Sequence, residues 1–126
     1  MKKTALLAAA TLLTLSAEAF ADDIFKGRLP AVGANCRGNT HYDIEATVAG
    51  DKVEGTLNGS AFRNPAKFSG SVTDKGFTAN IVFQSVANLR ADIAAERAGN
   101  GNYAATVKFN GGGPSNCEGS SPLMRG

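Results

Sequence analysis

The chain has 126 residues, with 13 Lys and Arg against 11 Asp and Glu, and no tryptophan. That length gives one domain with its own core. A net charge of +2 without any basic cluster excludes electrostatic capture of nucleic acid.

Met1-Lys2-Lys3 is a positive start, residues 4–15 are uncharged and mostly apolar, and Ala19-Phe20-Ala21 is a small-x-small cleavage site. Together these predict a secretory signal peptide over residues 1–21. Ala17-Glu18-Ala19 offers an alternative site two residues earlier. The apolar run is shorter than the roughly 20 residues of a spanning helix, and no cysteine beside the cleavage site suggests a lipid anchor. The mature chain is then residues 22–126, a single domain exported to the periplasm or secreted. Lys2, Lys3 and Glu18 leave with the peptide, so the net charge falls from +2 to +1.

The mature sequence reads as hairpins. Residues 23–29 predict a first strand, followed by Cys36. Tyr42, Ile44, Ala46 and Val48 then alternate with His41, Asp43, Glu45 and Thr47, the period of a strand with one buried face. Gly50-Asp51 is a Gly-first two-residue turn. The return strand, residues 52–60, turns Val53, Gly55, Leu57 and Gly59 inward and Lys52, Glu54, Thr56 and Asn58 outward. Inward glycines mark bends or close backbone approach, as in a small barrel.

The next pair repeats this. Ala66, Phe68, Gly70 and Val72 alternate with Lys67, Ser69, Ser71 and Thr73, and Asp74-Lys75-Gly76 makes a three-residue turn with Gly76 in the left-handed position. Phe77, Ala79, Ile81 and Phe83 form the following inner stripe. Residues 88–98 (NLRADIAAERA) alternate like a strand but have a helix-favouring composition with Gly99 as a stop. The strand is preferred, because a hairpin through Gly99-Asn100-Gly101 to Tyr103, Ala105, Val107 and Phe109 follows naturally. Residues 111–114 are a flexible connector, and a last strand surrounds Cys117 to Arg125.

About eight antiparallel strands joined to their sequence neighbours predict an all-β, up-and-down or nearly closed small barrel. Cys36 and Cys117 are the only cysteines, so export predicts one disulfide with one possible intrachain pairing. Closing so long a loop is worth about 4–5 kcal/mol in the chain-entropy picture. The competing use of Cys36, as a nucleophile beside His41, would need a free thiol in an oxidising compartment.

Candidates for chemistry are few. His41, Asp43 and Glu45 share one strand face about 6.5–7 Å apart, opposite the apolar stripe, so a solvated face is preferred over a weak metal site. There is no Gly-x-Ser-x-Gly elbow, phosphate-cradling glycine loop or zinc cysteine framework, and no catalytic residue, metal or cofactor is expected. The loop 59–67 (GSAFRNPAK) offers Phe62, Arg63 and Asn64 as a partner-binding loop, an aromatic beside an arginine being hot-spot composition. The plainer alternative tucks Phe62 over the barrel end. Phe68, Phe77, Phe83, Tyr103 and Phe109 either pack the core, the preferred reading, or line an apolar pocket. Short strands with outward Lys52, Glu54, Lys67 and Thr78 argue against an outer-membrane barrel.

GRL, Cys36, VAGDKVEGTL, FSGSV with DKGF, and a closing cysteine resemble a broad group of small exported bacterial β-rich proteins of unassigned function. In architecture alone the chain is similar to the C-type lysozyme inhibitors. The resemblance implies a disulfide-tied, hairpin-built exported domain and carries over no functional residue. Two functions follow as expectations: a non-enzymatic monomer that binds a protein partner or inhibits one, or a carrier of a small apolar ligand. A packed interior would favour the first, and an accessible cavity among the phenylalanines the second.

Overall fold

A computed structural model of the chain describes residues 23–34, 36–83, 89–110 and 117–126. The predicted signal peptide and the glycine-rich connector at 111–114 lie outside the described residues. Eight strands close into a barrel in chain order: β1 (Asp23–Pro30), β2 (His41–Ala49), β3 (Lys52–Gly59), β4 (Ala66–Val72), β5 (Gly76–Val82), β6 (Arg90–Arg97), β7 (Tyr103–Asn110) and β8 (Cys117–Arg125). Every neighbouring pair is antiparallel. This is the up-and-down barrel that the hairpin spacing predicts.

Period-two alternation decides each strand. In β6, Leu89 just before it and then Ala91, Ile93 and Ala95 are buried, while Arg90, Asp92, Ala94 and Glu96 are exposed. Pairing with β5 and β7 along its whole length overrides the helical preference of its alanines and charged residues. The turns use glycine where positive φ is required: Gly50 at 65° opens the β2–β3 turn, and Gly101 at 88° closes the β6–β7 loop, where Ala98 N–H donates to Asn102 O at 2.8 Å. The β4–β5 turn differs from expectation. Thr73 and Gly76 exchange both backbone bonds, so the loop is Asp74-Lys75 alone. Gly76 begins β5 at φ 153°, a positive φ that L side chains rarely adopt. It must be glycine because a Cβ there would overlap the Ala95 carbonyl.

The barrel has two ends. Three hairpin tips and the C-terminus form one; the connections 31–40 and 60–65, with Phe83 and Leu89, form the other, here called the loop end. Phe25, Phe77 and Tyr103 pack edge to face at the hairpin end, with centroids 4.8 and 5.1 Å apart. Arg125 and Arg97 lie over the Phe25 and Tyr103 rings. Between the ends runs an aliphatic belt in which Ile44 faces Leu57, and Ile93 faces Val107 and Ala79.

The disulfide forms as expected between Cys36, in the β1–β2 connection, and Cys117, at the start of β8. It ties the seam that closes the barrel, which has the thinnest ladder. Pairing of β1 with β8 is confined to Phe25↔Arg125 and Lys26↔Met124, with a Val32↔Glu118 bridge beyond the strand. Val32 and Glu118 exchange both bonds and Gly126 N–H donates to Ile24 O, so the bonded rungs of this register fall on even-numbered residues of both strands. Pro30 and Pro122 occupy two of those rungs, and neither has an N–H to give.

Candidate binding surface at the loop end of the barrel

The loop end is plugged by aromatics. Tyr42 and Phe109 lie 4.9 Å apart, Phe109 stacks on Phe83 at 6.0 Å, and Phe62 closes over both Tyr42 and Phe83 edge on, at 6.0 and 5.8 Å. Phe62 is therefore half-buried as a cap, while Arg63, Asn64 and Pro65 beside it are exposed. For Phe62 the plainer alternative holds, its ring tucked over the barrel end, while Arg63 and Asn64 face outward.

A small network fixes this loop. Asn39 spans from the disulfide connection to the β3–β4 loop: its Nδ2 donates to Cys36 O at 2.8 Å, and its Oδ1 accepts from Ala61 N–H at 2.7 Å. Thr40 N–H donates to Ser60 Oγ at 2.7 Å. Gly59 lets the parts meet, since a Cβ there would lie 2.7 Å from the Phe62 ring and within contact of Asn39 Oδ1. Arg37 and Gly38, at φ 54° and 83°, make the turn that presents Asn39. Asn39 was not a candidate in the sequence, although Cys-Arg-Gly-Asn is turn composition. Tyr42 Oη lies 3.2 Å from Cys117 Sγ beneath the network. Burial pushes the Tyr42 hydroxyl up from its ordinary value, partly offset by hydrogen bonding to Asn39.

A shallow groove of about 680 Å³ crosses this end between β4 and β5. Its floor includes Phe62, Ile81 and Phe83, and its charged lining residues are Arg37, Arg63 and Lys67, with no acid among them. Arg90, cross-strand from the exposed Val82, adds a fourth cation at the margin.

The aromatic candidates do not form one stripe around a cavity. Phe77 and Tyr103 belong to the hairpin-end cluster, Phe83 and Phe109 to the loop-end plug, and Phe68 lies on β4 against Gly55. All but Phe83 are buried. A small, partly open pocket of about 30 Å³ lies against the plug, between Tyr42, Phe62, Leu89 and the disulfide.

His41, Asp43 and Glu45 face outward from β2, as expected. Arg28 Nε of β1 donates to Asp43 Oδ1 at 2.8 Å and its Nη2 to Oδ2 at 3.3 Å, with His41 Nε2 3.7 Å from Oδ2. The Asp43 contact raises the Arg28 guanidinium further. The arrangement is a cross-strand ion pair on a wet face, and among the described residues no three of His, Cys, Asp and Glu gather as metal ligands. Among the described residues no helix is long and apolar enough to cross a membrane.

Comparisons with protein-family models, with curated proteins and with solved structures find no match for this chain.

Proposed function

We propose that this protein is an exported, non-enzymatic binding module that engages a protein partner through the loop end of its barrel, an inhibitor of a lytic enzyme or protease being one version. The observation that supports this best is the filled interior. The inward side chains of the described strands pack against one another as one buried core, and the pocket beside the plug, at about 30 Å³, is far smaller than the roughly 300–1,000 Å³ that a drug-sized ligand takes. A carrier would first have to eject Phe62 and rearrange its plug. Recognition then falls to the surface, where one rigid end carries an aromatic floor, exposed Arg63 and Asn64, and a loop pinned by Asn39 and the disulfide. Export is supported by the disulfide and by the leader composition.

The test places a photo-activatable benzophenone amino acid at Arg63, and separately at Thr106 on the outer wall of β7, in the cell that makes the protein. A discrete protein adduct at position 63 and none at 106 is the expected result. Equal labelling at both positions, or none at 63, overturns the proposal.

A further inference from the structure

The ladder between β4 and β5 stops early. Thr73 and Gly76 exchange both backbone bonds, so the bonded rungs of this pair are Ser71↔Thr78, Ser69↔Asn80 and, next in register, Lys67↔Val82. Pairing ends at Ser69↔Asn80. The strands have not frayed, because each is still held on its other side. β4 pairs with β3 as far as Leu57↔Ala66, and β5 pairs with β6 as far as Val82↔Arg90. Val72 N–H donates to Asp51 O and Phe83 N–H to Leu89 O, which assigns even residues of β4 to β3 and odd residues of β5 to β6. Among the described residues, the backbone groups of Lys67 and Val82 that face each other have no strand partner.

Charge follows the same boundary. Arg63 and Lys67 line the groove on the open side and Arg90 flanks Val82. None of the three forms an ion pair among the described residues. Beside the rungs that the ladder keeps, acids stand directly opposite the strands, Glu54 across from Ser69 and Asp92 across from Asn80; on the open rung the acid in register is Glu45, two strands from Lys67 across Thr56. Val82, 65% exposed, leaves an apolar side chain between the cations.

We propose that the open lip between β4 and β5 seats an extended, acidic segment of the protein partner, which bonds to the free strand edges while its carboxylates meet Arg63, Lys67 and Arg90. The proposal rests on the reading of the loop end as a protein-binding surface and names the chemistry of what binds. Unpaired strand edges accept extended peptides through main-chain bonds, with alternate side chains setting specificity. Strand period sends every second side chain of the guest outward, so acids alternating with apolar residues suit both the cationic rim and the Phe62–Phe83 floor.

The experiment pans a displayed library of random twelve-residue peptides against mature, disulfide-bonded protein and synthesises the enriched sequences. Expected are peptides with Asp or Glu alternating with apolar residues. Their affinity should fall at least tenfold in Lys67→Glu and in Arg63→Glu and stay unchanged in Lys52→Glu, at the hairpin end. Alternate amides of a guest lying between the two edges face β4 and β5 in turn, so N-methylation of every second amide should weaken binding in either phase. No enrichment, enriched peptides without acids, indifference to N-methylation, or tighter binding of a labelled single-stranded oligonucleotide each overturns the proposal. Neutral peptides alongside a protein adduct at position 63 would leave the protein-binding reading standing and remove only the acidic segment. Acidic peptides bound without any adduct in the cell would do the reverse.

Discussion

Gly59 illustrates how much single positions are constrained at the loop end. A methyl group there must displace the Phe62 ring or Asn39 Oδ1, both of which hold the β3–β4 loop. Gly59→Ala is expected to lower stability by about 1–3 kcal/mol, the usual range for overpacking. Gly99→Ala, where nothing lies within 4 Å of the new atom, should stay within about 0.5 kcal/mol. Urea midpoints of the two variants check this contrast. Tyr42 supplies a pH dependence. Its folded-state value is raised by burial, so above the unfolded value of about 10 the unfolded chain holds fewer protons than the folded one. Its contribution is fully present below that pH and is lost as pH rises through the folded value. Urea titrations from pH 8 to 11 should show a fall in stability that is shallower in Tyr42→Phe.

Among the elements, the seam between β1 and β8 carries the greatest topological burden. It joins the two ends of the folded domain, the pairing of greatest sequence separation, and two of its rungs fall on Pro30 and Pro122. The Cys36–Cys117 bridge, which closes a separation of 81 residues, sits at the loop end of that seam. It offsets the missing rungs by removing loop-closure entropy from the unfolded chain. The double variant Cys36→Ala/Cys117→Ala should lose about 2–5 kcal/mol. In native-state amide exchange, β1 and β8 should open before β6 and β7, which share eight residue pairs. Uniform loss of protection across all eight strands would show that the seam is not the weak element. The proline effect was not legible in the sequence. Pro30 and Pro122 are harmless at an edge or toward solvent, and only the closed register shows that both missing donors point across one seam.

For the molecule as a whole, the strands were legible because burial on one face imposes a period of two, which survives even the helix-favouring composition of β6. The disulfide was legible because the leader composition predicts export, and two cysteines then leave one pairing. The proposed binding surface was mostly hidden. Arg63, Lys67 and Arg90 are scattered along a chain of nearly balanced charge, and only closure of the barrel brings them to one lip. Phe62 and Arg63 drew notice as a pair, yet composition could not tell that the aromatic caps the core while its neighbour stays exposed. Nor could alternation show that the inward aromatics divide into two end clusters around an aliphatic belt, which is what fills the barrel. Filling is what separates a surface-binding module from a carrier. Native mass spectrometry of the disulfide-bonded protein, purified gently from the cells that make it and from their medium, reads that difference. The expected spectrum is a monomer of residues 22–126 with one disulfide and no added mass. A stoichiometric small molecule retained on the folded protein would contradict the filled barrel and make the protein a carrier.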